Sequence, residues 1–227
     1  MENGSASDEH HRIGPLNLFK GEGNTVLRRL VQLYLGLALY GFSMALMIRA
    51  DLGLDPWDVF HQGLNSLIGV SFGTVTMIVG AVVLLLWIPL RQKPGLGTVS
   101  NVVVIGLSVD AGLDVLPAVH ALAPRILLMV AAIVLNGLAG GAYIGARLGP
   151  GPRDGLMTGI CARTGRSVRL IRTAIEISVL LTGVALGGSF GVGTVAYALS
   201  IGPLVQFFLP RLTVGEPAPR SSAWSEA

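Results

Sequence analysis

The sequence predicts an all-α membrane protein with six transmembrane helices, arranged as two inverted-topology three-helix repeats. Three observations favour this class: a shortage of charge, long segments free of charged residues, and an internal repeat. Charged residues make up 13% of the 227 residues and hydrophobic residues 52%. Because a soluble domain typically carries about 25% charged residues, this composition is typical of a chain that is largely embedded in lipid.

Four long segments contain no Lys, Arg, Asp or Glu: 30–48, 59–90, 126–146 and 177–210. A transmembrane helix needs about 20 mostly apolar residues to cross a hydrocarbon core of about 30 Å, so each segment reaches or nearly reaches that length. A pass along the whole chain places six spans at residues 28–48, 71–90, 96–116, 125–147, 168–187 and 192–210.

An internal repeat relates the two halves of the chain. A gapless shift of 96 residues aligns Gly41 with Gly137, Pro56-x-Asp58 with Pro152-x-Asp154, and Gly95-x-Gly97-Thr98-Val99 with Gly191-x-Gly193-Thr194-Val195. The matches include Pro, Asp and Thr as well as Gly, which makes a chance origin improbable. We assign membrane repeats to residues 26–120 and 121–210, between polar tails at 1–25 and 211–227. Each repeat holds three spans, an odd number, so the second copy enters the membrane from the opposite side.

Each repeat also contains a short helix after its first span. Asp55 can cap the first of these, Pro56 suits the first helical position, and Asp58 lies near the positive end of the helix dipole. The second begins at Pro152 and includes Asp154. At about 18 Å, such a helix is half as long as the membrane core is thick. It is either a re-entrant half-helix or an amphipathic connector in the interface, and the aspartates are either functional or simple caps.

Polar residues in the spans and short helices are candidates for substrate binding or gating, since ionisable groups in a membrane are costly and commonly functional. The candidates are Asp55, Asp58, His61, Asn101, Asp110, Arg153, Asp154 and Glu176. Structural alternatives remain open for three of them. Glu176 can pair with Arg172 on its own helix, Asp110 can reach the outer interface, and His61 can be an interfacial histidine with its hydrogen bonds satisfied.

Glycines recur every four residues on the fourth span, and small residues at this spacing let helices approach closely in lipid. We interpret these positions, together with one on the first span, as helix-packing seams: Gly41, Gly137, Gly141, Gly145 and Gly149.

The sequence offers little support for other classes. Cys161 is the single cysteine, which excludes a disulfide framework and a cysteine metal site. The histidines lack metal-ligand spacing, and there is no phosphate loop or nucleophile elbow. We therefore expect no enzyme activity, no cofactor and no metal. The formal net charge of +3 comes from arginines beside apolar segments, as in membrane proteins, so the expected partner is the lipid bilayer and not nucleic acid.

Three motifs resemble those of a known family. They are A-D-L-G-L-D-P-W-D-V-F-H-Q-G-L from Ala50, G-L-G-T-V-S-N-V-V-V-I-G-L-S-V-D from Gly95, and R-L-G-P-G-P-R-D-G-L-M-T-G-I from Arg147. Across residues 28–210 the chain is similar to the YczE/YyaS/YitT group of bacterial integral membrane proteins. The resemblance implies location in the bacterial inner membrane and brings no settled activity.

Two functional hypotheses follow. The first is a small-solute transporter or channel with its site between the repeats, for which Arg153 favours a small polar or anionic solute. The second is a non-transporting accessory protein that supports another enzyme or regulator. The oligomeric state is left open.

The distribution of Lys and Arg predicts the topology. Both termini should be cytoplasmic, with Arg91–Lys93 and Arg153–Arg166 inside and Asp51–Asp58 outside, because cytoplasmic loops carry the excess of basic residues. Reporter fusions after Lys93 and after Gly188 should therefore show opposite sidedness. The same sidedness at both points would contradict six spans.

Overall fold

A computed structural model describes residues 16–215, with side chains described from residue 25. Within this range the chain forms eight helices and no strand. They are α1 (Leu16–Ala50), α2 (Pro56–Ile68), α3 (Phe72–Leu90), α4 (Leu96–Val115), α5 (Leu122–Gly145), α6 (Pro152–Thr164), α7 (Val168–Ala185) and α8 (Val192–Leu212). The prediction of an all-α chain with several apolar helices is confirmed.

Five of the described helices are long and apolar enough to cross a membrane: α1 from Thr25, α3, α4, α5 and α8. They correspond to five of the six predicted spans. Helix α7 corresponds to the remaining one and is 18 residues long. It is not among the five, and Arg169, Arg172 and Glu176 all lie within its 18 residues.

Regular structure extends into both predicted polar tails. Helix α1 begins at Leu16, inside the predicted N-terminal tail. After α8, Val214 is 3% exposed and donates its N–H to the Gly145 carbonyl at 3.0 Å. The rest of both predicted tails, at residues 1–15 and 216–227, lies outside the described residues.

The local backbone repeats at the spacing found in the sequence. Helices α2 and α6 are both 13 residues long and begin 96 positions apart. The residue before each has φ −63° and ψ 159°. Left-handed residues recur at the same offset: Asp51 and Arg147 at 47° and 56°, and Gly69 and Gly165 at 74° and 65°. The two glycines end α2 and α6, where a left-handed residue is favoured.

Glycines set the close contacts between the long helices. Helices α1 and α5 pack together at the centre, α4 packs on α1, and α8 packs on α5. A Cβ at Gly41 would lie 2.5 Å from the Ile105 carbonyl of α4, and one at Gly137 would lie 2.6 Å from Leu204 Cβ of α8. Gly141 and Gly145 contact α8 as well.

Gly149 does not continue the predicted glycine ridge on α5. The helix ends at Gly145, and left-handed Arg147 and Gly149 then turn the chain toward the first turn of α4. A Cβ at Gly149 would lie 2.8 Å from Thr98 Oγ1. Gly149 therefore follows the spacing of four residues in the sequence but lies outside α5 and contacts α4.

Helix α6 packs against α3 through one very close contact. A Cβ at Gly155 would lie 1.9 Å from Cζ2 of Trp87, a side chain that is 2% exposed. The Trp87 indole N–H also donates to the Pro152 carbonyl at 3.0 Å. The indole therefore fixes the position of the first turn of α6.

We expect Gly155→Ala to lower the free energy of unfolding by about 1–3 kcal/mol, because an extra methyl group overpacks a filled site. Gly202→Ala is the matched control, since a Cβ at Gly202 meets no atom within 4 Å and alanine favours a helix by about 1 kcal/mol over glycine. The melting temperature, measured by thermal unfolding of the purified protein in detergent, should fall for Gly155→Ala and not for Gly202→Ala. Equal melting temperatures for the two variants would contradict this packing.

Candidate functional site

The two short helices begin in the interior of the protein and end at its surface. In α2, Trp57, Asp58, Val59 and His61 are buried, whereas residues 66–68 are exposed. Helix α6 has the same gradient, from buried Pro152 to exposed residues 162–164. A connector lying in the membrane interface would instead expose one side along its whole length.

The N-terminus of α2 is capped by a buried carboxylate. Asp55 is 2% exposed, and its Oδ1 accepts the backbone N–H groups of Trp57 at 2.8 Å and Asp58 at 3.1 Å. The Asp58 carboxylate in turn lies 3.1 Å from His61 Nδ1. The two hydrogen bonds to Asp55 satisfy N–H groups of the first turn, as a helix end inside a protein requires.

The N-terminus of α6 has no such cap. Gly151 takes the position of Asp55, and within residues 25–215 no side chain accepts the N–H groups of Arg153 and Asp154. The Asp154 carboxylate accepts a hydrogen bond from the Tyr143 hydroxyl of α5 at 3.2 Å. The two short helices therefore share a backbone and differ in the chemistry of their first turns.

An ion pair joins these two first turns. Nη1 of Arg153 lies 3.7 Å from Oδ1 of Asp55, and its guanidinium stacks over the Trp57 ring at 4.8 Å from the centroid. Because Asp55 is buried, removing Arg153 would leave an uncompensated charge in the interior.

A cavity of about 340 Å³ lies beside this ion pair. Its volume falls in the range of small-molecule sites. The side chains that give it polar character are Tyr40, Asp55, His61, Thr76, Asn101, Asn136, Tyr143, Arg153, Asp154, Arg172, Glu176, Tyr197 and Gln206.

Six of the eight candidate site residues line this cavity: Asp55, His61, Asn101, Arg153, Asp154 and Glu176. Asp58 lies behind Asp55 and borders a small adjoining space of about 10 Å³. Asp110 lies elsewhere on α4, where its Oδ1 accepts the Gly73 N–H at 2.7 Å and its Oδ2 accepts from Ser71 Oγ. It therefore helps to cap α3. Glu176 makes the alternative contact considered above, an ion pair with Arg172 at 2.9 Å.

Seven polar residues of the cavity wall were not among the candidate site residues: Tyr40, Thr76, Asn136, Tyr143, Arg172, Tyr197 and Gln206. Asn136 connects three helices, because its Nδ2 donates to Ser43 Oγ and its Oδ1 accepts from the Tyr197 hydroxyl, both at 2.9 Å. One signal was available in the sequence. Asn136 lies 96 positions after Tyr40, so two polar residues occupy equivalent positions in otherwise apolar helices.

One side of the cavity is closed and the equivalent side is open. Helix α3 packs on α4, and Gly80 would place a Cβ 3.1 Å from Val102. Helices α7 and α8 make no extended contact, and Gly202 of α8 faces open space. The two sides also differ in sequence, because the position of Gly80 on α3 is taken by the larger Glu176 on α7.

These features define a polytopic, all-helical membrane protein with a polar cavity at the junction of its two halves. The chain belongs to the family of unknown function DUF6198, whose model matches residues 27–210.

Relatives cover most of the chain. An uncharacterized protein of Haemophilus influenzae is 40% identical over 177 residues, which is 78% of this chain and 81% of the relative. The uncharacterized membrane protein YczE of Bacillus subtilis is 34% identical over 180 residues, covering 78% and 84% of the two chains. The uncharacterized protein YyaS of Bacillus subtilis is 24% identical over 180 residues, covering 78% and 90%. The resemblance to YczE and YyaS is thus confirmed. No solved structure matches the chain.

Proposed function

We propose that this protein is a small-solute transporter or channel of the bacterial inner membrane, with both termini cytoplasmic. The single observation that carries the proposal is the polar cavity at the meeting point of the α2 and α6 N-termini. In secondary transporters, substrates bind between repeats where interrupted helices present their N-termini. The cavity would hold the solute beside Asp55, Arg153 and Asp154.

Reciprocal contacts support an inverted repeat. The Gly97 N–H of the first half donates to the Leu148 carbonyl of the second at 2.8 Å, and the equivalent Gly193 N–H donates to the Leu52 carbonyl at 2.7 Å. Two copies related by a two-fold rotation exchange contacts in this way, whereas copies related by a translation do not. An odd number of spans per copy would place the rotation axis in the membrane plane.

The proposal counts α7 as the sixth span. Its 18 residues rise about 27 Å at 1.5 Å per residue, close to the thickness of the hydrocarbon core. Arg172 and Glu176 pair with one another and line the cavity. Ionisable residues in a span are tolerated when they pair or face a polar cavity.

The short helices would be re-entrant. Their buried N-termini meet through Asp55 and Arg153, while their C-termini are exposed. Non-helical backbone at membrane depth is tolerated where protein or a polar cavity surrounds it, as at the uncapped start of α6. We propose that the cavity passes its solute on without covalent change.

Proteoliposomes provide the test of transport. Vesicles containing the protein would be incubated with a defined mixture of amino acids, small organic acids, sugars and polyols, and their contents measured by mass spectrometry. We expect at least one solute to accumulate above the level in protein-free vesicles. Uptake of no solute would overturn the proposal and favour an accessory role.

Charge removal tests the site within the same assay. We expect Asp154→Asn to lower flux about tenfold or more, since a hydrogen bond to a charged group contributes about 1.5–3 kcal/mol. Asp58→Asn is the matched variant at the equivalent position, behind the cavity wall, and should reduce flux less. Unchanged flux in both variants, with normal folding, would leave these aspartates as helix caps.

Cross-linking tests whether the open side closes during transport. A Cβ at Gly80 would lie 3.5 Å from the Cβ of Val102, a distance that suits a disulfide. Gly80→Cys combined with Val102→Cys should therefore cross-link on oxidation. Glu176→Cys with Ala198→Cys is the equivalent pair between α7 and α8. If the two sides of the cavity open and close in alternation, the pair between α7 and α8 should also cross-link, but more slowly. Both pairs are tested with Cys161→Ser, so that no native thiol competes. Absence of that cross-link after prolonged oxidation would exclude alternation.

A further inference from the structure

The start of α6 lacks a carboxylate that the start of α2 possesses. Asp55 and Gly151 precede the two helices with the same φ and ψ, −63° and 159°. In α2 the Asp55 carboxylate accepts the second and third N–H groups of the helix. In α6 the equivalent groups are the N–H groups of Arg153 and Asp154, and no side chain in the described part of the chain caps them.

The missing side chain leaves a polar recess in the cavity wall. A Cβ at Gly151 would lie 3.1 Å from the Tyr143 hydroxyl, 3.2 Å from Asp154 Oδ2 and 3.7 Å from Asn101 Nδ2. All four residues line the cavity. A group bound in this recess would therefore meet N–H donors, a hydroxyl, an amide and a carboxylate within a few ångströms.

Two side-chain nitrogens in the same cavity make no hydrogen bond within the described part of the chain. One is Asn101 Nδ2, at the recess. The other is Nε2 of His61, a side chain that is only 2% exposed and that uses Nδ1 for its contact with Asp58. Asn101 and His61 both line the cavity, so these atoms are available to hydrogen-bond with a polar occupant.

We propose that the recess at Gly151 binds a small zwitterion of the α-amino-acid type. The ligand carboxylate takes the place that the Asp55 carboxylate has in the other half, accepting the N–H groups of Arg153 and Asp154. The ligand ammonium group, one carbon away, lies against the Asp154 carboxylate and the Tyr143 hydroxyl. This inference rests on the proposed transport function and names the substrate class for it.

The charges of the cavity favour a zwitterion over a simple anion. Both lining guanidinium groups are already in ion pairs, Arg153 with Asp55 and Arg172 with Glu176. Within residues 25–215 no Lys, Arg or His nitrogen lies within 4.0 Å of the Asp154 carboxylate. An anion in the recess would meet this carboxylate without compensation, whereas an ammonium group on the same ligand offsets the repulsion.

Ligand-dependent thermal stability tests the inference without any flux measurement. The detergent-purified protein would be heated with glycine, alanine, leucine or phenylalanine, and with acetate and methylamine as analogues that carry one charge only. A ligand that binds the folded state raises the melting temperature. We expect at least one amino acid to raise it and neither analogue to match the effect. Stabilisation by acetate or methylamine alone, or by none of the compounds, would overturn the zwitterion.

Gly151→Asp provides the decisive variant. Its backbone dihedral angles match those of Asp55. The new Cβ would lie 3.1 Å from the Tyr143 hydroxyl and 3.2 Å from Asp154 Oδ2, so these side chains shift slightly when the new carboxylate caps α6 and occupies the ligand's place. We expect the variant to lose at least about tenfold in apparent affinity for the amino acid. If the variant is less stable than the wild type, Asn101→Leu provides the same test of affinity without altering the cap.

Ser66→Asp is the matched control, because it adds the same carboxylate at an exposed position near the other end of α2. It should bind the amino acid as the wild type does. Unaltered binding by Gly151→Asp would overturn the site. Binding without any flux in proteoliposomes would overturn the transport function and leave the site intact, whereas flux of other solutes without amino-acid binding would overturn only this inference.

Discussion

The contact between Asp55 and Arg153 is the interaction on which the rest of the structure depends. A helix that starts inside a membrane protein exposes N–H groups that water cannot reach, and their satisfaction needs acceptors from the chain itself. Asp55 supplies the acceptor for α2, and the charge that it brings inside requires a cation. That cation comes from the first turn of α6, in the other half of the chain. The two short helices are thus held with their N-termini facing one another, and the cavity lies where they meet.

The two halves share a backbone although their side chains differ, because a larger residue on one helix is matched by a smaller residue on the helix that it contacts. In one half the indole of Trp87 fills the space that Gly155 leaves on α6. In the other half the equivalent of Trp87 is Gly183, and Val59 takes the position of Gly155 on α2. A large and a small residue have exchanged sides across the same contact, so both interfaces remain close-packed. The backbone repeat therefore persists while the chemistry around the cavity differs between its walls.

This divergence gives the cavity its polarity. The wall from α3 carries Thr76 and Gly80, whereas the equivalent wall from α7 carries Arg172 and Glu176. Two charged side chains in place of small ones also hinder a close approach of α8, and Gly202 is left facing open space. These two positions thus account for the Arg172–Glu176 ion pair and for its place beside the open side of the cavity.

Sequence alone determined the features that depend on local chemistry. Apolar segments of sufficient length located five of the helices, since length and hydropathy are properties of the segment itself. Asp55-Pro56 and Gly69 located the ends of α2, because caps act within one turn, and the 96-residue offset anticipated the backbone of the second half. Tertiary structure decided which distant groups meet. No local rule predicts the contacts of Arg153 with Asp55, Tyr143 with Asp154 or Tyr197 with Asn136. Nor does a local rule predict that Asp110 caps α3 and lies away from the cavity. Those contacts follow from how whole helices pack, because shape and volume over the entire interface fix the position of each side chain.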